Sequence, residues 1–250
     1  MNAFEKHGID HLSASRVNKW ITQPALCLLE IAGINDRAGP AAWRGTAVDK
    51  AITKAAFDRD ASIDELVGFA CEVFDHEHSQ SDEPPNQEKL EKERKSVSAY
   101  METGVSWIRG LETPVDSQGK VSVSIDQIPV PFIGYYDLLM KDKVRDIKTT
   151  ASAPTALSQA HCRQLAVYAK GTKKEPWVDY VTKKEVRSFK VDNVEFYERQ
   201  LMLAAKSLER VLSHSDDIYE CCQLVYPDLD HWMWSDMMRS VAKDVWKMEA

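Results

Sequence analysis

Apolar residues recur at helical spacing through roughly the first 110 positions of the chain and then give way to β-type alternation. Ser13 or Ser15 can cap a helix running through Ile21, and Pro24 can open the next, through Ile31, which ends near Gly33. A third helix is predicted from about Ala41 to Phe57, with Val48, Ala51, Ile52, Ala55 and Ala56 as its apolar stripe. Further helices fit 62–77 and 86–110, separated by the loop-like cluster SQSDEPPN at 79–86. After Pro114 three strands are predicted, within VSVSID at 121–126, PVPFIGYYDLLM at 129–140 and VRDIKT at 144–149. A helix from Thr155 to Lys170, strands at 177–182 and 185–191, and helices at 192–213 and about 231–247 complete the chain. Helices, a hairpin, a helix and two strands in that order predict an α/β fold, a central mixed β-sheet flanked by helices with a helical N-terminal region. A single domain is expected, with a mainly helical part at 1–112, a sheet core at 113–191 and C-terminal helices at 192–250.

Composition narrows the class. An apolar content of 44% with 28% charged residues fits a globular chain and excludes extended disorder and fibrous repeats. No stretch approaches the roughly 20 apolar residues that span a bilayer, and the polar start MNAFEKHGID lacks the apolar core of a signal peptide, so a cytoplasmic location is expected. The five cysteines, at 27, 71, 162, 221 and 222, form no C-x-x-C pair and suit reduced thiols.

The net charge of −7 argues by itself against a nucleic-acid partner, yet it is unevenly distributed. Residues 141–190 hold twelve Lys or Arg against five Asp or Glu, whereas 58–95 reverses the balance with twelve acids against five bases. The segment 214–250 is acidic too, with eight against three. A basic stretch between acidic flanks is what a polyanionic partner would select.

The richest chemistry lies in GYYDLLMKDKVRDIKTT, 134–150. Residues two apart on a strand share a face, so Asp146 and Lys148 point one way and Ile147 the other. If the hairpin turns through Lys141 and Asp142 alone, Asp137 falls opposite Asp146. Facing carboxylates repel, and a hard divalent cation such as Mg²⁺ would offset that repulsion. Lys148 could then stabilise an anionic transition state or help orient and deprotonate a water molecule. On spacing alone the same residues fit a solvated hairpin equally well, and a bulge or longer loop would change the register.

Gly-x-x-Asp, a short hairpin and then Asp-Ile-Lys-Thr-Thr resemble the core of the PD-(D/E)XK nuclease superfamily, most closely its RecB-like exonuclease branch. LSASRVNKW at 12–20 resembles that branch's Leu-Ser-x-Ser motif, WRGTAVDKAI at 43–52 its Gly-x-x-x-His/Glu helix, and HCRQLAVYAK at 161–170 its Gln-x-x-x-Tyr helix. The resemblance covers residues from about 12 to about 190. It implies a restriction-endonuclease-like sheet core and a metal-dependent DNA exonuclease of recombination, repair or phage DNA processing. It also implies metal ligation by Asp49, Asp137, Asp146 and the Ile147 carbonyl, catalysis by Asp137, Asp146, Lys148 and Gln164, and Mg²⁺ as the cofactor, with Mn²⁺ able to substitute. Ser13, Ser15, Arg44, Thr149, Arg163 and Tyr168 would meet DNA, and Lys173, Lys174, Lys183 and Lys184 are further candidates for phosphate.

Asp49 stands where the family carries His or Glu, and as a shorter oxygen ligand it also reads as an ordinary helix-surface acid. Gln164 and Tyr168, spaced i, i+4, read in isolation as packing residues, and His161 as structural or solvent-facing. Trp232 and Trp234 could stack on bases or pack a helix against the core. Some relatives carry an iron-sulfur cluster on one early and three late cysteines. Cys27 matches the early one, but no late set follows, so no cluster is expected. The chain also lacks G-x-x-x-x-G-K-[ST], so unwinding would need a helicase partner, and a recombinase, an annealing protein or a second copy of the chain are other partners to expect. An endonuclease of the same superfamily, an inactive DNA-binding subunit and an RNA substrate are the competing readings.

Overall fold

In the computed structural model, residues 1–36, 38–81 and 86–248 are described, so the end of the predicted 79–86 loop cluster lies largely outside them. The helical first half comprises α1 (Ala3–Lys6), α2 (Ala14–Thr22), α3 (Pro24–Ile31), α4 (Pro40–Phe57), α5 (Ile63–Ser79) and α6 (Gln87–Arg109). Ser13 caps α2 by accepting the Arg16 N–H, and Ser62 with Glu65 forms a reciprocal capping box at the start of α5. Strands β1 (Asp116–Val123), β2 (Phe132–Leu139) and β3 (Lys143–Thr149) follow, then α7 (Gln159–Thr172), β4 (Glu175–Val181) and β5 (Val186–Lys190). Helices α8 (Val194–Leu212), α9 (Ile218–Cys222) and α10 (Asp236–Trp246) close the chain.

The five strands form one sheet in sequence order. Strands β3 and β4 are parallel, joined by α7 as the crossover helix, and every other pair is antiparallel. The expected mixed sheet between helices is therefore present. Strand β1 begins at Asp116 rather than near 121, and the predicted 129–140 run becomes a strand only at Phe132. Between them the chain turns at Ile125–Ile128, where the Ile128 N–H donates to the Ile125 carbonyl and Gln127 adopts φ 63°.

Two apolar clusters cover the two faces of the sheet. On one, Val121, Phe132, Tyr136, Val144, Val178 and Tyr180 bury against Leu165 and Val167 of α7 and Leu201, Ala205 and Leu208 of α8. On the other, Leu138, Met140, Ile147 and Val181 meet Val48 and Ile52 of α4, Phe74 of α5, and Val97, Met101 and Ile108 of α6. Val144 and Ile147 fall in different clusters, as strand alternation requires, which places Asp146 and Lys148 on the α7 side. A third cluster docks Trp234, Met238 and Ala242 on Ala25, Leu26 and Leu29 of α3. No helix among the described residues is long and apolar enough to cross a membrane.

Candidate functional site

The site is made by a parting of two strands. The β2–β3 hairpin turns through Lys141 and Asp142, with the Met140 N–H donating to the Lys143 carbonyl, and its rungs pair Leu139 with Val144 and Leu138 with Arg145. This is the register expected from the sequence, but the ladder stops one residue short of bringing Asp137 and Asp146 together as a rung. The Ile147 N–H, which the next hydrogen-bonded rung would send to the Tyr136 carbonyl, instead donates to Asp137 Oδ2 at 2.6 Å. Strand β2 also changes face here, because Phe132 and Tyr136 bury in the α7-side cluster while Leu138 and Met140 bury in the α4-side one.

Tyr168 packs on β2 beside the opening. Its ring lies over Gly134, where a Cβ would come within 2.6 Å of Tyr168 Cε1, so the glycine of Gly-x-x-Asp is there because the ring needs the space. The Tyr168 hydroxyl accepts a 2.6 Å hydrogen bond from Gln164 Nε2 and faces the Tyr135 amide. Burial, reinforced by the charge of Asp146, pushes the phenol well above its ordinary value. At the far end of β3, Gly45 of α4 approaches closely enough that a Cβ would sit 3.3 Å from Thr149 Oγ1. Helices from both sides of the sheet thus reach one cluster of acids.

That cluster holds Asp49, Asp137, Asp146 and Lys148. Asp146 is only 1% exposed, and Lys148 Nζ lies 2.7 Å from its Oδ2. The two form an ion pair that occupies Asp146 Oδ2, whereas Asp49 Oδ1 is a buried oxygen with no hydrogen-bond partner. Burial, together with the charges of Asp146 and Asp49, drives the Asp137 carboxyl well above the ordinary aspartate value. Burial also raises Asp49 to about 6, helped by the charge of Asp146 and opposed by a hydrogen bond from Gln118. For Lys148 burial works against the charge, but Asp146 and Asp137 outweigh it and hold the ammonium above its usual value. Three acids share one lysine, which is a charge imbalance inside the protein.

Among the described residues no three His, Cys, Asp or Glu side chains stand grouped as a ready-made metal cage. The acids nonetheless sense one another's charge, and Lys148 pairs with Asp146. Their carboxylate oxygens, with Asp49 Oδ1 buried and unbonded, are of the kind a hard divalent cation takes. Ile147 reaches the site through its N–H, which orients Asp137.

Beside the cluster, a cleft of about 280 Å³ is lined by Ser13, Ser15, Tyr135, Gln164 and Tyr168, with His11 at its rim. Ser13 Oγ is 3.2 Å from Ser15 Oγ. Two basic residues expected to meet DNA lie inside the protein. Arg163, 6% exposed, donates to Asn18 Oδ1 at 2.5 Å and Gln200 Oε1 at 2.9 Å, tying α7 to α2 and α8. Arg44, 8% exposed, pairs with Glu93 and stacks 4.6 Å over the Tyr100 ring. Tyr168 is 2% exposed and supports the site from within rather than offering a surface to DNA. Neighbouring side chains thus engage the guanidinium groups of both arginines. His161 is half-buried with Nδ1 2.7 Å from the Tyr180 hydroxyl, and burial, then the Lys148 charge, lowers its pKa. Trp234 packs in the core, donating to Gln23 Oε1 at 2.9 Å, whereas Trp232 is 82% exposed.

The residue that sequence reasoning missed is Gln118. Its Nε2 donates to Asp49 Oδ2 at 3.1 Å and makes a longer 3.5 Å contact with Asp137 Oδ1, joining acids from a helix and a strand.

No family model and no curated protein matches the chain. A solved structure named "Crystal structure of SSO0001" aligns over 59% of this chain and 87% of that one, at 14% identity and a TM-score of 0.34. A likeness at that level carries no argument about fold or function.

Proposed function

We propose that the protein is a metal-dependent DNA exonuclease of the PD-(D/E)XK superfamily, close to its RecB-like branch, acting in DNA recombination, repair or phage DNA processing. The observation that carries this reading is the cluster of three aspartates around one lysine, with a bare oxygen on Asp49, at a parting of two strands beside an open cleft. A stable structural core has little use for such an excess of buried negative charge, whereas hydrolysis of a phosphodiester does.

Asp49, Asp137 and Asp146 would hold Mg²⁺ or Mn²⁺, with the Ile147 carbonyl as a further oxygen donor. Such a cation, when bound, draws charge from a phosphoryl group and makes water more acidic. Lys148 brings a protonated ammonium to the same face, where it neutralises charge that builds on the phosphoryl oxygens and can supply a proton to a departing oxygen. Gln164 and Tyr168 keep β2 and β3 apart and fix the position of Asp137. Ser13 and Ser15 carry the hydroxyls best placed to hold the DNA backbone along the cleft, and Thr149 offers another where α4 meets the end of β3. The reading places the enzyme in a bacterial or phage-infected cytoplasm, with a recombinase, annealing protein or helicase as partner.

End-labelled linear duplex, single-stranded and covalently closed circular DNA, each incubated with the protein in Mg²⁺ and in Mn²⁺, test this directly. Labelled ends should be lost from linear DNA while the circle stays intact. Cutting of the circle would make the protein an endonuclease, and inertness toward all three would make it a non-catalytic binding protein.

A further inference from the structure

Gln118 has two properties that do not belong together in an ordinary strand residue. Its backbone lies at φ 52°, in the left-handed region that costs a non-glycine residue about 1–2 kcal/mol. The rungs on either side are regular, Ser117 with Leu138 and Gly119 with Tyr136, and position 118 itself, opposite Asp137, drops out of the ladder. The side chain is exposed, and its hydrogen bond to a carboxylate returns about 1.5–3 kcal/mol, enough to offset that strain. Strain of this kind is concentrated where geometry serves a site.

The partners of Gln118 say what that geometry is. Facing two carboxylates, the amide presents its NH₂ group, which only donates. Asp49 Oδ2 takes the 3.1 Å bond, leaving Oδ1 buried and bare. Asp137 has Oδ2 held by the Ile147 N–H and Oδ1 by the longer Gln118 contact. One neutral group on β1 thus draws an acid of α4 toward an acid of β2 and decides which Asp49 oxygen remains open.

We infer that Gln118 is a positioning residue for the cation site, orienting Asp49 and Asp137 so that a divalent cation meets a set of oxygens already aligned. The inference rests on the proposed cation site and adds a specific residue to it. Outer-shell donors of this kind change metal affinity by about 10–100-fold when removed, without touching the metal. An alternative role, bracing the β1–β2 hairpin for folding, makes a different prediction.

The test is Mn²⁺ binding to the full chain, followed by titration calorimetry at pH 8, for the wild type, Gln118→Gly and Gln118→Asn. Glycine removes the donor and relieves the left-handed backbone, and asparagine keeps an amide at ease in that region but is one methylene too short to span both acids. Both variants should bind Mn²⁺ at least about tenfold more weakly, with metal-free melting temperatures equal to or above that of the wild type. Affinity within twofold of the wild type in Gln118→Gly overturns the inference, and so does a lower metal-free melting temperature, which would make Gln118 a folding residue. If the wild type binds Mn²⁺ and cleaves DNA while the variants bind equally well, only the role of Gln118 falls. If the wild type binds no Mn²⁺, the cation site beneath it falls too.

Discussion

Strand β3 takes part in a buried acid–base pair on each of its faces, with Asp179 of β4 on one and with its own Asp146 on the other, and the two pairs are built to opposite ends. On the α4–α6 side, Arg145 lies between the Trp107 and Trp177 rings, 5.8 and 5.2 Å from their centroids, and donates to Asp179 Oδ1 at 2.6 Å. Ser188 donates to the same oxygen at 2.5 Å. One acid meets one base there, and although burial raises the Asp179 pKa, Arg145 opposes that rise. On the α7 side, Lys148 also faces a buried acid, but Asp137 and Asp49 crowd the same space and the charges do not cancel. The first pair closes a core and the second leaves a deficit of positive charge. The difference shows why a buried ion pair by itself says little about function: it is the excess of acids on one side alone that the proposed cation site would use.

Breaking the balanced pair should have the largest effect on folding. Asp179→Ala leaves Arg145 buried without its carboxylate and should cost about 3–5 kcal/mol in urea unfolding. A loss under 1 kcal/mol would show that Arg145 finds water instead. Lys148→Ala attacks the unbalanced side, and there the expected loss is in cleavage, at least about a hundredfold in end-labelled DNA assays, with the fold and DNA binding largely kept. Wild-type cleavage in this variant would remove Lys148 from the chemistry. Gly134→Ala probes the wedge between them, since the added methyl must displace the Tyr168 ring and should cost about 1–3 kcal/mol, seen as a lower urea midpoint.

The smallest effect is the pH response. Asp49, raised to about 6, and Asp137, also raised, bind protons more tightly in the folded chain than in the unfolded one. The stability they contribute is therefore complete below the unfolded value near 3.8 and is lost as pH rises through about 6. The metal-free melting temperature of the wild type, taken relative to that of Asp49→Asn at the same pH, should fall across that interval, and Mg²⁺ should raise the wild type's above pH 6 by replacing the lost protons. A difference that rises over the same interval, or a wild-type melting temperature that Mg²⁺ leaves unchanged at pH 8, would contradict the charge deficit.

Much of this was legible in local pattern. Two-residue punctuation at Lys141–Asp142 set the hairpin register, and alternation put Asp146 and Lys148 on one side of β3 with Ile147 on the other. Where the strands part was not legible, because there the Ile147 N–H turns to the Asp137 side chain instead of the ladder, and Tyr168, packed on Gly134 beside it, comes from a helix 34 positions later. Gln118 was invisible for a related reason. It lies in a stretch without alternating apolar residues, ahead of where a strand was expected, and nothing in its neighbours signals a left-handed backbone. Arg44 and Arg163 look like surface charges in the sequence because their partners, Glu93, Asn18 and Gln200, are brought in by other helices. The short helices α1 and α9, of four and five residues, are too brief to leave a periodic trace.

The central claim is that the excess acids exist to hold a cation for phosphodiester cleavage. Release of label from end-labelled linear duplex DNA, measured for the wild type and Asp146→Asn in Mg²⁺ and again in excess EDTA, tests it most directly. The account predicts release by the wild type in Mg²⁺ alone, with none from Asp146→Asn in either condition and a metal-free melting temperature in that variant no lower than the wild type's. Release that persists in EDTA, or that survives in Asp146→Asn, would contradict it.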